Sequence, residues 1–280
     1  MAKVISLGKR KIGEGHPVFV IAEIGLNHGG DIKKALRLID SAVRAGVDAV
    51  KFQTYVTEKR TFKGSPIFDI LKKCELPFEA FKELKDHADK KGVVFFSTPF
   101  DEESLGYLES IKVPCHKIAS FDVVNRKFLK ALSLTGKPLI LSVGMSNIKE
   151  IKAAYQILSA HSKQIALLHC VSSYPTQEKD AQLAVISSLK TEFGCIVGQS
   201  DHTADIVVPL YAVAAGAKII EKHYKIDAKF DCVDAPVSIT EKQMDELVKG
   251  IRRVENILGQ GTMGVREAEK GCEIFRRHSK

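Results

Sequence analysis

The sequence predicts an α/β fold, a (β/α)8 TIM barrel with a short N-terminal β-hairpin, and three observations lead there. From Val18 onward, apolar runs of about five residues alternate with helical patterns, the rhythm of parallel strands joined by crossover helices. The runs are rich in Val, Ile and Leu without polar alternation, as strands covered on both faces are. Eight such units fit within the 280 residues, and no G-x-G-x-x-G follows the first strand, which argues against a doubly wound dinucleotide-binding sheet.

Taken in order, residues 1–17 carry short alternation (VISLGKRKIGEG) with glycine turns, which predicts a hairpin covering the bottom of the barrel. Residues 18–280 are expected to form the barrel domain itself. Its strands are read at 19–25, 49–53, 93–98, 115–120, 138–143, 165–170, 195–201 and 218–224. Between them, apolar residues recur at helical spacing: Ile32, Ala35, Leu36, Ile39 and Val43 form the first stripe, and Met244, Leu247, Val248, Ile251 and Val254 the last. Asn147 with Glu150 and Thr240 with Gln243 have capping-box spacing, while Gly46, Gly92, Gly136 and Gly216 stand where helices stop. Residues 54–76 read as the longest connection outside regular structure, a lid or substrate loop. The tail from Gly259 is too short for a second domain.

Composition narrows the function classes. Lys and Arg number 42 against 34 acidic residues, a net charge of +8 that would suit an anionic partner. The bases are interleaved with acids on helix faces, as in KELKDHADKK, and no nucleic-acid-binding motif accompanies them, so nucleic acid is not expected. No run approaches the roughly 18 apolar residues of a membrane span, and no apolar segment follows the basic N-terminus. Membrane association is therefore not expected either. Six cysteines without a C-x-x-C pair read as reduced thiols in a cytoplasmic protein.

The strand ends are polar. They carry Glu23; Lys51 and Gln53; Ser97 and Thr98; Lys117 and Ser120; Ser142; His169; Ser200, Asp201 and His202; and Glu221 and His223. Singly, each has a structural reading: a strand lysine snorkels, a serine satisfies a backbone group, a histidine bonds within a core. In a closed barrel, however, these ends converge on one face, where barrel active sites lie. Two lysines among hydroxyls suit a phosphate and a carboxylate. His202 and His223, on neighbouring strands, suit a shared divalent metal, and Glu23 suits acid/base work.

The motifs AEIGLNHGG, KFQTY, STPFD, KIAS, LHCVSSYPT, GQSDHT and EKHY, met in this order over residues 18–277, closely resemble the N-acetylneuraminate (sialic acid) synthase family. The resemblance implies condensation of phosphoenolpyruvate with an N-acetylated aldose. It implies that Lys51, Gln53, Thr98, Lys117, Ser120, Ser142 and Ser200 bind phosphoenolpyruvate, that His202 and His223 bind Mn²⁺ or Mg²⁺, and that Glu23 is the catalytic carboxylate. Tyr174 matches a tyrosine that lines the sugar pocket, and Asp122 stands where the family has a sugar-binding glutamate. In such enzymes C3 of phosphoenolpyruvate attacks a metal-polarised aldehyde, water adds at C2, and phosphate leaves by C–O cleavage.

The departures fall on the sugar side. Ser172 replaces a common asparagine, Ala235 a common histidine, and residues 54–76 lack the family's sugar-contacting asparagine. The family's antifreeze-like C-terminal domain is not expected here; a separate antifreeze-like protein would then supply it, and a homodimer rests on analogy alone. The expected product is a nonulosonic acid, with N-acetylmannosamine, a diacetamido-dideoxyhexose or a shorter aldose as acceptor. A metal-dependent aldolase using free pyruvate and a partner-dependent, non-catalytic barrel are the alternatives.

Overall fold

The computed structural model describes residues 4–259 and 261–277. Strands β1 (Val4–Leu7) and β2 (Arg10–Gly13) pair antiparallel as a hairpin. Then β3 (Phe19–Gly25), β4 (Ala49–Thr54), β5 (Val94–Pro99), β6 (His116–Ile118), β7 (Leu139–Ser142), β8 (Ile165–Cys170), β9 (Ile196–Asp201) and β10 (Ile219–His223) follow, each joined to the next by helical segments. All are parallel, and β10 pairs with β3 to close the barrel. The expected strands form with ends that differ from expectation by at most two residues, β4 and β5 running one residue further. The shortest, β6, stops early because Ser120–Asp122 coils into a 3-10 turn.

Side-chain alternation sorts every strand into two faces. Outward residues such as Val20, Ala22, Phe52, Phe95 and Leu141 pack in the cluster between barrel and helices. Inward residues Phe19, Ile21, Phe96, Ile140, Leu168 and Ile219 form a second cluster, which Ile5, Leu7 and Ile12 of the hairpin join. The lower half of the barrel is therefore a packed apolar plug. Gly198 faces inward where nothing larger fits: a Cβ there would lie 2.4 Å from the Ile219 carbonyl oxygen and 2.7 Å from Leu168 Cδ2. Both predicted capping boxes are present, at Asn147 and at Thr240.

Residues 54–76 are not irregular, contrary to expectation. They hold the helices Thr57–Arg60 and Phe68–Cys74. Leu71 and Cys74, one turn apart, pack with Leu26 and Tyr55 in a small separate core, and Tyr55 Oη donates to the Leu71 carbonyl at 2.9 Å. That local core is what orders the segment. The six cysteines are free, four of them buried. Among the described residues, no helix is long and apolar enough to cross a membrane.

Candidate active site

Above the apolar plug, the next inward positions are Glu23, Lys51, Thr98, Lys117, Ser142, Ser200 and Glu221, and they open into a cavity of ≈ 250 Å³ at the C-terminal ends of the strands. Gln53, Ser120, Tyr174, His202 and His223 complete the predicted lining. Lys117 and His223, from strands on opposite sides of the ring, share this one space.

The charges at its floor are ordered. Lys51 Nζ lies 3.0 Å from Glu23 Oε2 and 3.5 Å from Glu221 Oε2, and Lys117 Nζ lies 3.7 Å from Glu221 Oε1. Lys117 also donates to Ser142 Oγ at 2.6 Å, Lys51 to Thr98 Oγ1 at 3.2 Å, and Ser200 to Glu221 Oε1 at 2.8 Å. The two carboxylates part company in acidity. Burial raises Glu23, with Lys51 opposing it. Burial also works against the Glu221 anion, but Lys117 and Lys51 together overcome it and hold that carboxyl well below the usual range. Two neighbouring carboxyls driven in opposite directions mark a proton carrier and a fixed countercharge.

The outer rim carries the histidines. His202 and His223 have ring centroids 5.3 Å apart, and Tyr174 lies over His202 at 4.1 Å. His202 Nδ1 donates to the Val171 carbonyl at 2.8 Å, which fixes the proton there and leaves the Nε2 lone pair available. His223 Nδ1 stands 3.3 Å from Asp234 Oδ2 but off the hydrogen-bond line, and is buried without a bonded partner. Burial disfavours the His223 cation, yet Asp234 raises its affinity for a proton. Two such imidazoles fit a divalent ion as a ligand pair. Among the described residues, no group of three or more His, Cys, Asp or Glu side chains is arranged to hold one.

Not every polar strand tip faces the cavity. Ser97, His169 and Asp201 point outward, because neighbours along a strand alternate and Thr98, Cys170 and Ser200 take the inward positions. Ser97 shares a hydrogen bond with Thr54 at 2.7 Å, and His169 bonds the Ala181 carbonyl at 2.7 Å. Asp122 is buried just outside the cavity walls; its Oδ1 accepts from Asn125 at 3.1 Å while Oδ2 has no partner.

Three charged wall residues escaped the sequence reading as site residues: Glu221, Arg60 and Asp234. Glu221 was visible as a polar strand end. Arg60 comes from the segment read as irregular; its guanidinium lies 3.7 Å over the Phe100 ring and donates to Gln53 Oε1 at 3.0 Å. That bond turns the Gln53 amide so that Nε2 donates to Glu23 at 3.0 Å. Asp234 sits in the connection after β10, where its N–H donates to Asn27 Oδ1 at 2.9 Å.

Comparison with known proteins supplies a context for this geometry. A model of the NeuB family matches residues 38–263. The crystal structure of N-acetylneuraminic acid (sialic acid) synthetase from Leptospira borgpetersenii serovar Hardjo-bovis, in complex with citrate, superposes with a TM-score of 0.96 at 42% identity, covering 99% of this chain and 97% of that one. N,N'-diacetyllegionaminic acid synthase of Campylobacter jejuni is 36% identical over 276 residues, covering 92% of this chain and 83% of the relative. N-acetylneuraminate-9-phosphate synthase of Mus musculus is 34% identical over 278 residues, covering 94% of this chain and 77% of the relative.

Proposed function

The chain belongs to the NeuB family, and on that premise we propose that it is a phosphoenolpyruvate-dependent sugar acid synthase, condensing phosphoenolpyruvate with an N-acetylmannosamine-like aldose to give a nonulosonic acid and phosphate. The observation that carries this reading is the pair of buried lysines, Lys51 and Lys117, flanking Glu221 at the floor of a hydroxyl-lined cavity. An anion there meets two fixed ammonium groups and the hydroxyls of Thr98, Ser120, Ser142 and Ser200, the charge-assisted donors that phosphate and carboxylate oxygens require. Glu221 favours the charged form of both lysines: at Lys51 it outweighs burial with the help of Glu23, and at Lys117 it opposes burial, which lowers that lysine's affinity for a proton. Gly144 N–H donates to Ser120 Oγ at 2.9 Å, and a Cβ at 144 would lie 2.7 Å from Ser172 Oγ, so glycine is what lets the chain after β7 pass this close to the two serines.

In this reading C3 of phosphoenolpyruvate bonds to the aldehyde carbon, water adds at C2, and phosphate departs with the C2–O bond. Glu23, whose affinity for a proton burial raises and which contacts Lys51 and Gln53, takes the proton of the adding water. Tyr174 and Gln53 flank the acceptor, whereas Asp122, outside the cavity walls, does not reach it. His202 and His223 would hold Mn²⁺ or Mg²⁺, which when bound supplies Lewis-acid polarisation of a carbonyl. The free cysteines fit a cytoplasmic setting.

The test is phosphate release from phosphoenolpyruvate with Mn²⁺ across a panel of aldoses. Release with an N-acetylated hexose is expected; none with any aldose overturns the proposal.

A further inference from the structure

On the outer surface of the barrel wall, directly behind the histidines, lies an ion pair with no solvent and no substrate to explain it. Lys222 Nζ donates to Asp201 Oδ2 at 2.6 Å, with side-chain exposures of 0% and 2%. The surrounding outward positions, such as Val197 and Ile220, belong to the apolar cluster under the helices. An apolar pair would fill this space, and a buried ion pair stabilises little over such a replacement because desolvation offsets the attraction. Fold stability alone therefore does not account for it.

Its bonding points elsewhere. Asp201 also accepts from Gln199 Nε2 at 3.0 Å and from Thr203 N and Oγ1 at 3.2 and 2.7 Å, and Lys222 donates in addition to the Thr203 carbonyl. His202 is thus bracketed by two residues that Lys222 holds. In the strand ladder Lys222 stands opposite Asp201, and Glu221 opposite Ser200. Each member of the pair lies between two inward-facing cavity residues: Ser200 and His202 around Asp201, Glu221 and His223 around Lys222. The buried faces of both strands already set their register, and the charged contact adds a directional bond at the one level where His202 and His223 leave the ladder.

We propose that Asp201 and Lys222 are positioning residues that set His202 and Ser200 against His223 and Glu221. The inference goes beyond the synthase reading and depends on it only for a kinetic readout. Neither residue touches the cavity, so both act through their neighbours.

The experiment compares Asp201→Leu/Lys222→Met with the wild-type protein. The double replacement leaves no lone buried charge but removes the partners of Gln199 Nε2, Thr203 N and Oγ1 and the Thr203 carbonyl, so it should melt below wild type yet above either single replacement. If positioning is the role, kcat falls about 10- to 100-fold and by more than KM for phosphoenolpyruvate rises, because Ser200 and Glu221 shift with the pair while Lys51 and Lys117, on other strands, keep their places. Wild-type kcat in the stable double variant overturns the proposal. If that variant does not fold, Asp201→Asn decides on the same kinetic criterion, since it keeps the size while removing the charge and turning one acceptor into a donor. A crystal structure of the folded variant separates this inference from the synthase reading: an unchanged 5.3 Å spacing of the two imidazoles overturns it even in a protein that releases no phosphate.

Discussion

Lys51 stands between Glu23 and Glu221, 3.0 and 3.5 Å from their carboxylates, with all three side chains buried. The ammonium is what allows two carboxyls to share this space. Lys51→Met removes it and leaves them facing one another away from water. The expected loss is about 3 to 5 kcal/mol of unfolding free energy, the scale for breaking a buried ion pair, measured by urea denaturation. Lys51→Met/Glu23→Gln should recover part of it. A single variant as stable as wild type would show that the cluster is wetter or less charged than its geometry implies.

Gly198 and Gly106 give predictions of opposite sign. At Gly198 a methyl group meets the Ile219 carbonyl oxygen and the Leu168 side chain inside the barrel, so Gly198→Ala should cost about 1 to 3 kcal/mol by overpacking. Gly106 lies within the helix Glu102–Ser110 with open space around it, so Gly106→Ala should gain about 0.5 to 1 kcal/mol from helix propensity. Thermal melts of the two variants check both. Equal effects would mean that the interior at Gly198 yields more easily than its packing indicates.

His28 should make the fold acid-sensitive. Burial pushes its imidazole down to about 4, against smaller opposing contributions from the Gly25 carbonyl and Asp31. Between pH 6.5 and pH 4 the unfolded chain therefore binds a proton that the folded protein excludes, and stability falls as pH falls. His28→Leu lacks this linkage. The difference in unfolding free energy between wild type and variant should shift by about 3 kcal/mol from pH 7 to pH 4, in favour of the variant. A difference that stays constant across that range would rule out the buried neutral imidazole.

What could be read from the sequence follows the range of the interactions. The barrel strands were legible because Val, Ile and Leu runs are a local pattern, and the caps at Asn147 and Thr240 because their partners lie one turn away. Polar strand ends located most of the cavity, since closure of the ring brings them together. Facing was harder. Ser200 and Asp201 are adjacent and both polar, and only alternation assigns Ser200 inward and Asp201 outward. Arg60 and Asp234 were out of reach for another reason. Their places depend on Phe100 and Asn27, residues remote in sequence, and on the small core that orders the segment after β4.

The hairpin has a consequence for traffic. With Ile5, Leu7 and Ile12 stoppering the far end of the ring, the chamber has a single doorway, and the lysines lie at its deepest point beneath Tyr174 and the imidazoles. On the synthase reading proposed above, a molecule bound at the lysines would have to enter before anything settled above it, and whatever was released there would wait until the upper occupant had gone. The blind end is the joint product of the inward strand residues Phe19, Ile21, Phe96, Ile140, Leu168 and Ile219 and of these three hairpin side chains.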